Sequence, residues 1–388
     1  LLAAPPIEQR LEPHAPLQGR DERFRLVERA ALLFAGDRAA LFSEERQKLF
    51  ELNASAAYIA CRLAEGITHT GLLEDLVRQG FGRAAAEAAI KALLLAWSFE
   101  GLAAADLCFE QSPAWRTQDI AIAGISARLA YQDAELFASI APTFAHLEAG
   151  SSARPILYHV AQRPPFAFIS RDQGPAAIVT PMQAAPALKS LLVSDVLDTA
   201  EGIAALHTAC LIYKGRALLL SGSPGAGKST LTIALEAAGF EYQGDDIALL
   251  ERSGKVQGVA FAATAKTGAW PLIRAVRADV DDARIHHRPD GKRVRYLPPA
   301  RKAGAQAHPI GWVIRLNRRP GAAAMLAPLQ SFDTLSDLLG EAHSRSGGAS
   351  IKDLNVLLRA LSDARCHELV YSDLTQAVQA IQRMCADG

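Results

Sequence analysis

Excess charge of either sign is missing from this chain: over 388 residues, lysine plus arginine and aspartate plus glutamate stand at 41 each. A whole-molecule field that would gather nucleic acid or an acidic membrane surface is thereby excluded, and any basic patch must be local. Cysteine is scarce. The five, Cys61, Cys108, Cys210, Cys366 and Cys385, have no CxxC spacing, which suits neither a disulfide framework nor a zinc site and fits a reducing cytoplasm. His286-His287 and Cys366-His367 also lack partners at zinc spacing, so no transition-metal site is expected. No apolar run reaches the roughly 18 residues needed to cross a bilayer. The first residues, with Pro5, Pro6, Glu8 and Arg10 close together, have no signal-peptide core. A cytoplasmic protein with neither a membrane nor a nucleic-acid partner is the expectation. The sequence shows no internal repeat.

What the chain has is apolar material, half of its residues, enough for two or three cores. In its first part, 26–33 and 38–42 read as strands and 54–64, 70–78 and 83–97 as helices. The last of these carries Ala86, Ile90, Leu93, Leu94 and Trp97 at helical spacing, one apolar face. Two strands and three helices over such a length suggest a small winged-helix α+β domain at 20–105. The stretch 103–116, with Pro113, reads as a connection, and the linker is set at 106–117. Beyond it, 120–131, 156–161 and 166–171 read as strands and 133–139 and 182–197 as helices, a second α/β layer covering 118–202. A remaining domain runs from 203 to 388.

The segment "LFELNASAAYIACRLAEGITHTGLLEDLVRQ" followed by "AAIKALLLAWSFEGL" resembles the PqqD-like peptide-recognition domains of peptide-modifying systems. The matching marks are Leu52-Asn53, Ala56, the turn at Gly66, Leu72 to Leu76 and the closing Gly101-Leu102. The resemblance implies that a leader peptide adds a strand beside the sheet and packs on the third helix. A winged helix that only packs on its neighbour, or that binds DNA, is the alternative for the same pattern, and weak basic content counts against DNA.

At 204–220 two strand-like runs are broken by Lys214-Gly215, a hairpin turn, and "ALLLSGSPGAGKSTLTIAL" follows. Gly222, Ser223, Pro224, Gly225, Ala226, Gly227, Lys228 and Ser229 fit G-x-x-x-x-G-K-[ST] between an apolar strand and a helix that takes in Thr230. Glycines let the backbone wrap a phosphate at angles that a β-carbon forbids. Inward amides and the helix N-terminus then hold a polyphosphate. Lys228 reaches the β and γ phosphates, and the Ser229 hydroxyl joins a magnesium shell. This establishes nucleotide binding, with ATPases, GTPases and kinases all sharing the loop.

Asp245 and Asp246 stand 17 and 18 residues after Lys228, past a helix at 230–238 stopped by Gly239 and a strand beginning near Phe240. That spacing returns the chain to the sheet edge where ligands bind in open α/β folds. One aspartate can hold magnesium while the other accepts the proton of an attacking hydroxyl. His207 lies 15 residues before Gly222 and can approach the same rim.

The histidine, the hairpin, "GSPGAGKS", the helix ended by Gly239 and the pair Asp245-Asp246 together resemble the HPr kinase/phosphorylase family and its shorter relatives in peptide-modification gene clusters. The resemblance implies an α/β P-loop kinase core with a mixed sheet, and ATP with Mg2+ as its cofactors. Asp245 would be the catalytic acid/base, with His207 assisting and Lys228 on the phosphates. Ser229 and Asp246 would serve the metal. It implies transfer to a serine of a ribosomally made precursor peptide, as in lasso-peptide tailoring, with the leader held by the first domain, and allows a homo-oligomer. The glycine-rich signature with a further glutamate, found in the bifunctional enzymes, is absent. "AKTGAWPLI", with Lys266 and Trp270, stands in that region, which argues against phosphorylase activity and against the HPr carrier as substrate. A nucleotide-gated binding protein and a kinase of free serine or another small hydroxyl compound are the alternatives.

Seven basic residues, Arg284, Arg288, Lys292, Arg293, Arg295, Arg301 and Lys302, face a single acid, Asp290, in one stretch. They read either as a solvated face or as an arginine clamp across the active site, as in the shorter relatives that "GKRVRYLPP" resembles. Further on, 312–316 reads as a strand, 354–361 and 374–384 as helices, and 341–350 as a mobile loop.

Overall fold

The structure, a computed structural model, describes residues 22–109, 115–199, 204–340, 342–343 and 350–387. The readings of the chain start, of the middle of the linker and of nearly all of the 341–350 loop lie outside the described residues. The rest forms two compact units, one of residues up to 109 with 170–179, the other of residues 115–169 and 180–387.

In the first unit the strand Arg23–Leu26 lies between Ile67–Thr68 and Ala103–Asp106, antiparallel to both. A separate meander pairs Ala30–Ala35, Arg38–Ser43 and Lys48–Leu52. Two expected strands are thus replaced by several, because the 26–33 run breaks at Val27, whose carbonyl accepts from the Ala30 N–H at 3.0 Å. Ala103–Asp106 corrects the reading of 103–116 as a connection. Small alanines with little strand propensity of their own are buried there against a partner strand, so pairing overrides propensity.

The three helices fall where periodicity puts them. Ala54–Glu65 starts at Asn53, whose side chain accepts from Ala56 N–H at 2.9 Å, and His69–Arg78 starts at Thr68, which accepts from Gly71 N–H at 3.1 Å. In Arg83–Phe99 the buried residues are Ala86, Ile90, Leu94 and Trp97, spaced four, four and three apart. Each large side chain in that stripe contributes about 1.5–3 kcal/mol of burial.

The second unit is a mixed α/β body. One part is the hairpin Arg116–Ile122 and Ile125–Tyr131, with Ile156–Arg163 parallel to the second strand. The sequence reads 120–131 as a single strand. Ala123 and Gly124, both at positive φ, turn it. The helix Ala184–Thr199 follows.

The other part is a six-stranded sheet in the order Glu241–Gly244, Ala209–Tyr213, Arg216–Ser221, Ile310–Arg318, Arg365–Tyr371, Met325–Pro328. Arg216–Ser221, Ile310–Arg318 and Arg365–Tyr371 run parallel. Ala209–Tyr213 is antiparallel to both Arg216–Ser221 and Glu241–Gly244, so the last two point the same way. One core packs Leu218, Leu220, Ile314 and Leu369 with Leu231 and Leu235 of the helix Lys228–Ala237 and Ile381 of the helix Leu374–Ala386. The hairpin turn is at Lys214-Gly215 as expected, both at positive φ. No helix among the described residues is long and apolar enough to cross a membrane.

Candidate active site

Strand direction alone assembles one rim. The ends of Arg216–Ser221, Glu241–Gly244, Ile310–Arg318 and Arg365–Tyr371 and the start of Ala209–Tyr213 all lie at the same edge of the sheet. In open α/β sheets this is the edge where ligands bind. Ala209 pairs with Leu220 and Cys210 with Gly244, which sets His207 beside both the loop after Ser221 and the residues after Gly244.

The loop closes tightly. Gly227 sits at φ +100 and precedes the helix Lys228–Ala237 without a side-chain cap. A methyl group there would stand 2.5 Å from the Tyr371 hydroxyl, which donates to the Ala226 carbonyl at 2.8 Å. Leu231 N–H is the first to bond back, to the Gly227 carbonyl at 2.9 Å. The amides of Lys228, Ser229 and Thr230 therefore have no partner within the helix and are aligned for an anion. Lys228 Nζ folds across the loop and donates to the Gly222 carbonyl at 2.5 Å.

A cleft of about 520 Å³ opens over this loop. Ser223, Pro224, Gly225, Gly227, Lys228, Ser229 and Thr230 line it, together with His207, Asp245 and Asp246. Gly222 and Ala226 do not line it. The side chains that the sequence offers as catalytic and metal-binding candidates, His207, Lys228, Ser229, Asp245 and Asp246, thus line one space.

The two aspartates differ. Asp245 is only 3% exposed; its Oδ2 accepts from Thr264 N–H at 2.9 Å, and its Oδ1 lies 3.4 Å from the Tyr242 hydroxyl. That hydroxyl has a shorter acceptor, the Phe261 carbonyl at 2.6 Å, which takes its one proton and leaves Oδ1 with room to accept. Burial, and then the charges of Asp245 and Glu236, push the Tyr242 hydroxyl well above its ordinary range, so it stays protonated. Asp246 is open to solvent, and its Oδ1 lies 3.3 Å from His207 Nδ1. The histidine therefore meets Asp246 and not Asp245.

Gln243 anchors the strand that delivers the pair. Its Oε1 accepts from Gly258 N–H at 2.8 Å and its Nε2 donates to the carbonyls of Gly304 and Gln306, both at 2.9 Å. Four polar cleft residues escaped sequence reasoning: Thr264, Arg318, Tyr371 and Ser372. Arg318 and Tyr371 end strands parallel to the loop strand. The run "GWVIRLNRR" signals the strand of Arg318, but not that it neighbours the loop. The basic segment divides: Arg288 lines the cleft, whereas Arg295 packs on Trp270 and Lys302 donates to the His146 carbonyl at 2.9 Å.

No protein-family model and no curated protein matches the sequence. Among solved structures, the Hpr(Ser) kinase/phosphatase from Coxiella burnetii is similar over 47% of this chain and 99% of its own, at 11% identity and a TM-score of 0.23. A likeness of that size bears no weight on the chemistry, which rests on the residues themselves.

Proposed function

We infer that the cleft transfers the γ-phosphoryl group of ATP to a hydroxyl acceptor. The observation that carries this reading is Asp245, buried and held by the Thr264 amide, on the cleft that the phosphate loop lines. The hydroxyl gives its proton to Asp245 as its oxygen bonds to the γ-phosphorus. The bond from that phosphorus to the bridging oxygen breaks, and ADP leaves with the electron pair. Lys228 and the loop amides hold the phosphates in line for the displacement.

Ser229 and Asp246 both face the cleft and offer oxygen donors only, which suits magnesium, an ion that takes one or two protein oxygens alongside phosphate oxygens and water. They would hold it, and bound there it would offset charge on the β and γ phosphates. Among the described residues no group of three or more His, Cys, Asp and Glu is placed to hold a metal. His207, 3.3 Å from Asp246, orients that carboxylate.

The acceptor in this reading is a serine of a ribosomally made precursor peptide, its leader captured by the first unit as an added strand. The strand Ala30–Ala35 supports this: it ends its three-stranded meander and exposes Leu33 and Phe34. Capture would raise the local concentration of the attached acceptor. Mass spectrometry of any short peptide found encoded beside this chain, incubated with ATP and magnesium, tests the reading, with free L-serine as the parallel acceptor. Asp245→Asn should lower transfer about 10²- to 10⁴-fold while nucleotide binding persists. Nucleotide binding without transfer to any hydroxyl would leave a nucleotide-gated binding protein instead.

A further inference from the structure

A small three-stranded sheet forms the part of the cleft wall that holds Asp245. Ala263–Lys266 and Ile285–His287 are both antiparallel to Arg293–Leu297 and so parallel to each other, with Lys266, Val294 and His286 in register. The chain leaves both outer strands at the same end, which brings Lys266 and Arg288 together on the cleft. Lys266 follows Thr264 by two residues and shares its face. Thr264 holds Asp245, so the lysine lies just beyond the support of the proton acceptor.

Neither of these two cations is fully neutralised. Lys266 makes no ion pair among the described residues. The Arg288 guanidinium lies 3.3 Å from Asp290, but that carboxylate is also 3.2 Å from Lys292, so one negative charge is shared by two cations. Burial pushes the Tyr296 hydroxyl up, Arg288 opposes, and Asp245 and Asp246 add to the rise. Lys228, by contrast, is folded onto the Gly222 carbonyl across the loop. Ala269 and Leu272 also line the cleft, and apolar lining strengthens charge pairing made against it.

We propose that Lys266 and Arg288 form an anion subsite for the acceptor, selecting a hydroxyl compound that carries a carboxylate near the hydroxyl. The proposal rests on the phosphotransfer reading and deepens it. Two sources present that chemistry, a small hydroxy acid and an acidic stretch of peptide.

The test compares matched acceptors on the full chain with ATP and magnesium: N-acetylserine against N-acetylserinamide, and the blocked pentapeptide Ala-Glu-Ser-Glu-Ala against its Gln counterpart. The anionic member of at least one pair should be preferred, and the pair that shows it identifies the source. In the double variant Lys266→Ala, Arg288→Ala the acceptor KM should rise about 10- to 100-fold, the range for charge-assisted hydrogen bonds, with the preference lost and the KM for ATP unchanged. Lys266→Arg should restore part of the preference. An unchanged preference in the double variant, equal use of both members of each pair, or a raised KM for ATP would overturn the subsite. Ligand-observed NMR of the same probes on ADP-loaded protein keeps this separate from the reaction. If no hydroxyl is phosphorylated, selective binding of the anionic probe that the double variant loses still supports the subsite, and equal binding refutes it.

Discussion

The two sides of the cleft are built by different means. The phosphate loop is a backbone device: amides freed at the start of a helix, glycines that admit the close turn, and one lysine. The facing residues of the small sheet are a side-chain device, in which Thr264, Lys266 and Arg288 come from two strands that meet only through a third. A backbone site reads a phosphate, a group common to every nucleotide. A side-chain site can be altered residue by residue without touching the fold, and that is where acceptor choice can vary.

Breaking the backbone side should have the larger consequence. Lys228→Ala should cost at least about 10²- to 10³-fold in transfer, with ATP affinity falling alongside, as stopped-flow and nucleotide titration would measure. Transfer at the ordinary rate would remove the loop from the chemistry. Next comes Gly227→Ala, which imposes about 1–2 kcal/mol of left-handed strain and drives a methyl group against the Tyr371 hydroxyl. Losing the Tyr371 to Ala226 hydrogen bond adds about 1 kcal/mol, and a thermal melt should register both.

Acid should act on the other side. Burial, then Arg284 and His287, lowers His286 of the small sheet to about 4. Below its ordinary 6.5 the unfolded chain takes up a proton that the folded one refuses until near pH 4. Stability is therefore full above pH 6.5 and falls across that window, by about 2–3 kcal/mol for this residue. His146, lowered to about 4 mainly by burial, adds a loss of the same sign. Denaturant melts from pH 7 to pH 4 on the parent and on His286→Phe should show a shallower slope in the variant. The smallest effect belongs to Thr264→Val. It keeps the backbone N–H that holds Asp245 and loses only the hydroxyl that accepts from Lys189 at 3.2 Å, so kcat should stay within about fivefold. A much larger fall would mean that the hydroxyl touches the acceptor.

What could be read in advance divides along the same line. The loop, the turn at Lys214-Gly215 and the stripe Ala86, Ile90, Leu94, Trp97 are local patterns, each set by a few neighbouring residues. The aspartate pair was legible because one helix and one strand return it to the loop. Arg318 and Tyr371 were not, since they reach the rim only by pairing strands from the far end of the chain beside Arg216–Ser221. The charges of 284–302 were visible, but choosing Arg288 over Arg295 required knowing that Trp270 packs under Arg295. The alanines of 103–106 misled for a related reason: only a partner strand makes them a strand.

The rim draws on strand ends from His207 to Tyr371, spread over nearly half the sequence, and no shorter stretch holds all of them. Occupancy by nucleotide would therefore report that the five strands whose ends form the rim have assembled. By mass action a ligand at a hundred times its dissociation constant stabilises that finished state by about 2.7 kcal/mol, so if the proposed phosphotransfer holds, nucleotide would favour the assembled rim as well as supply the phosphoryl group.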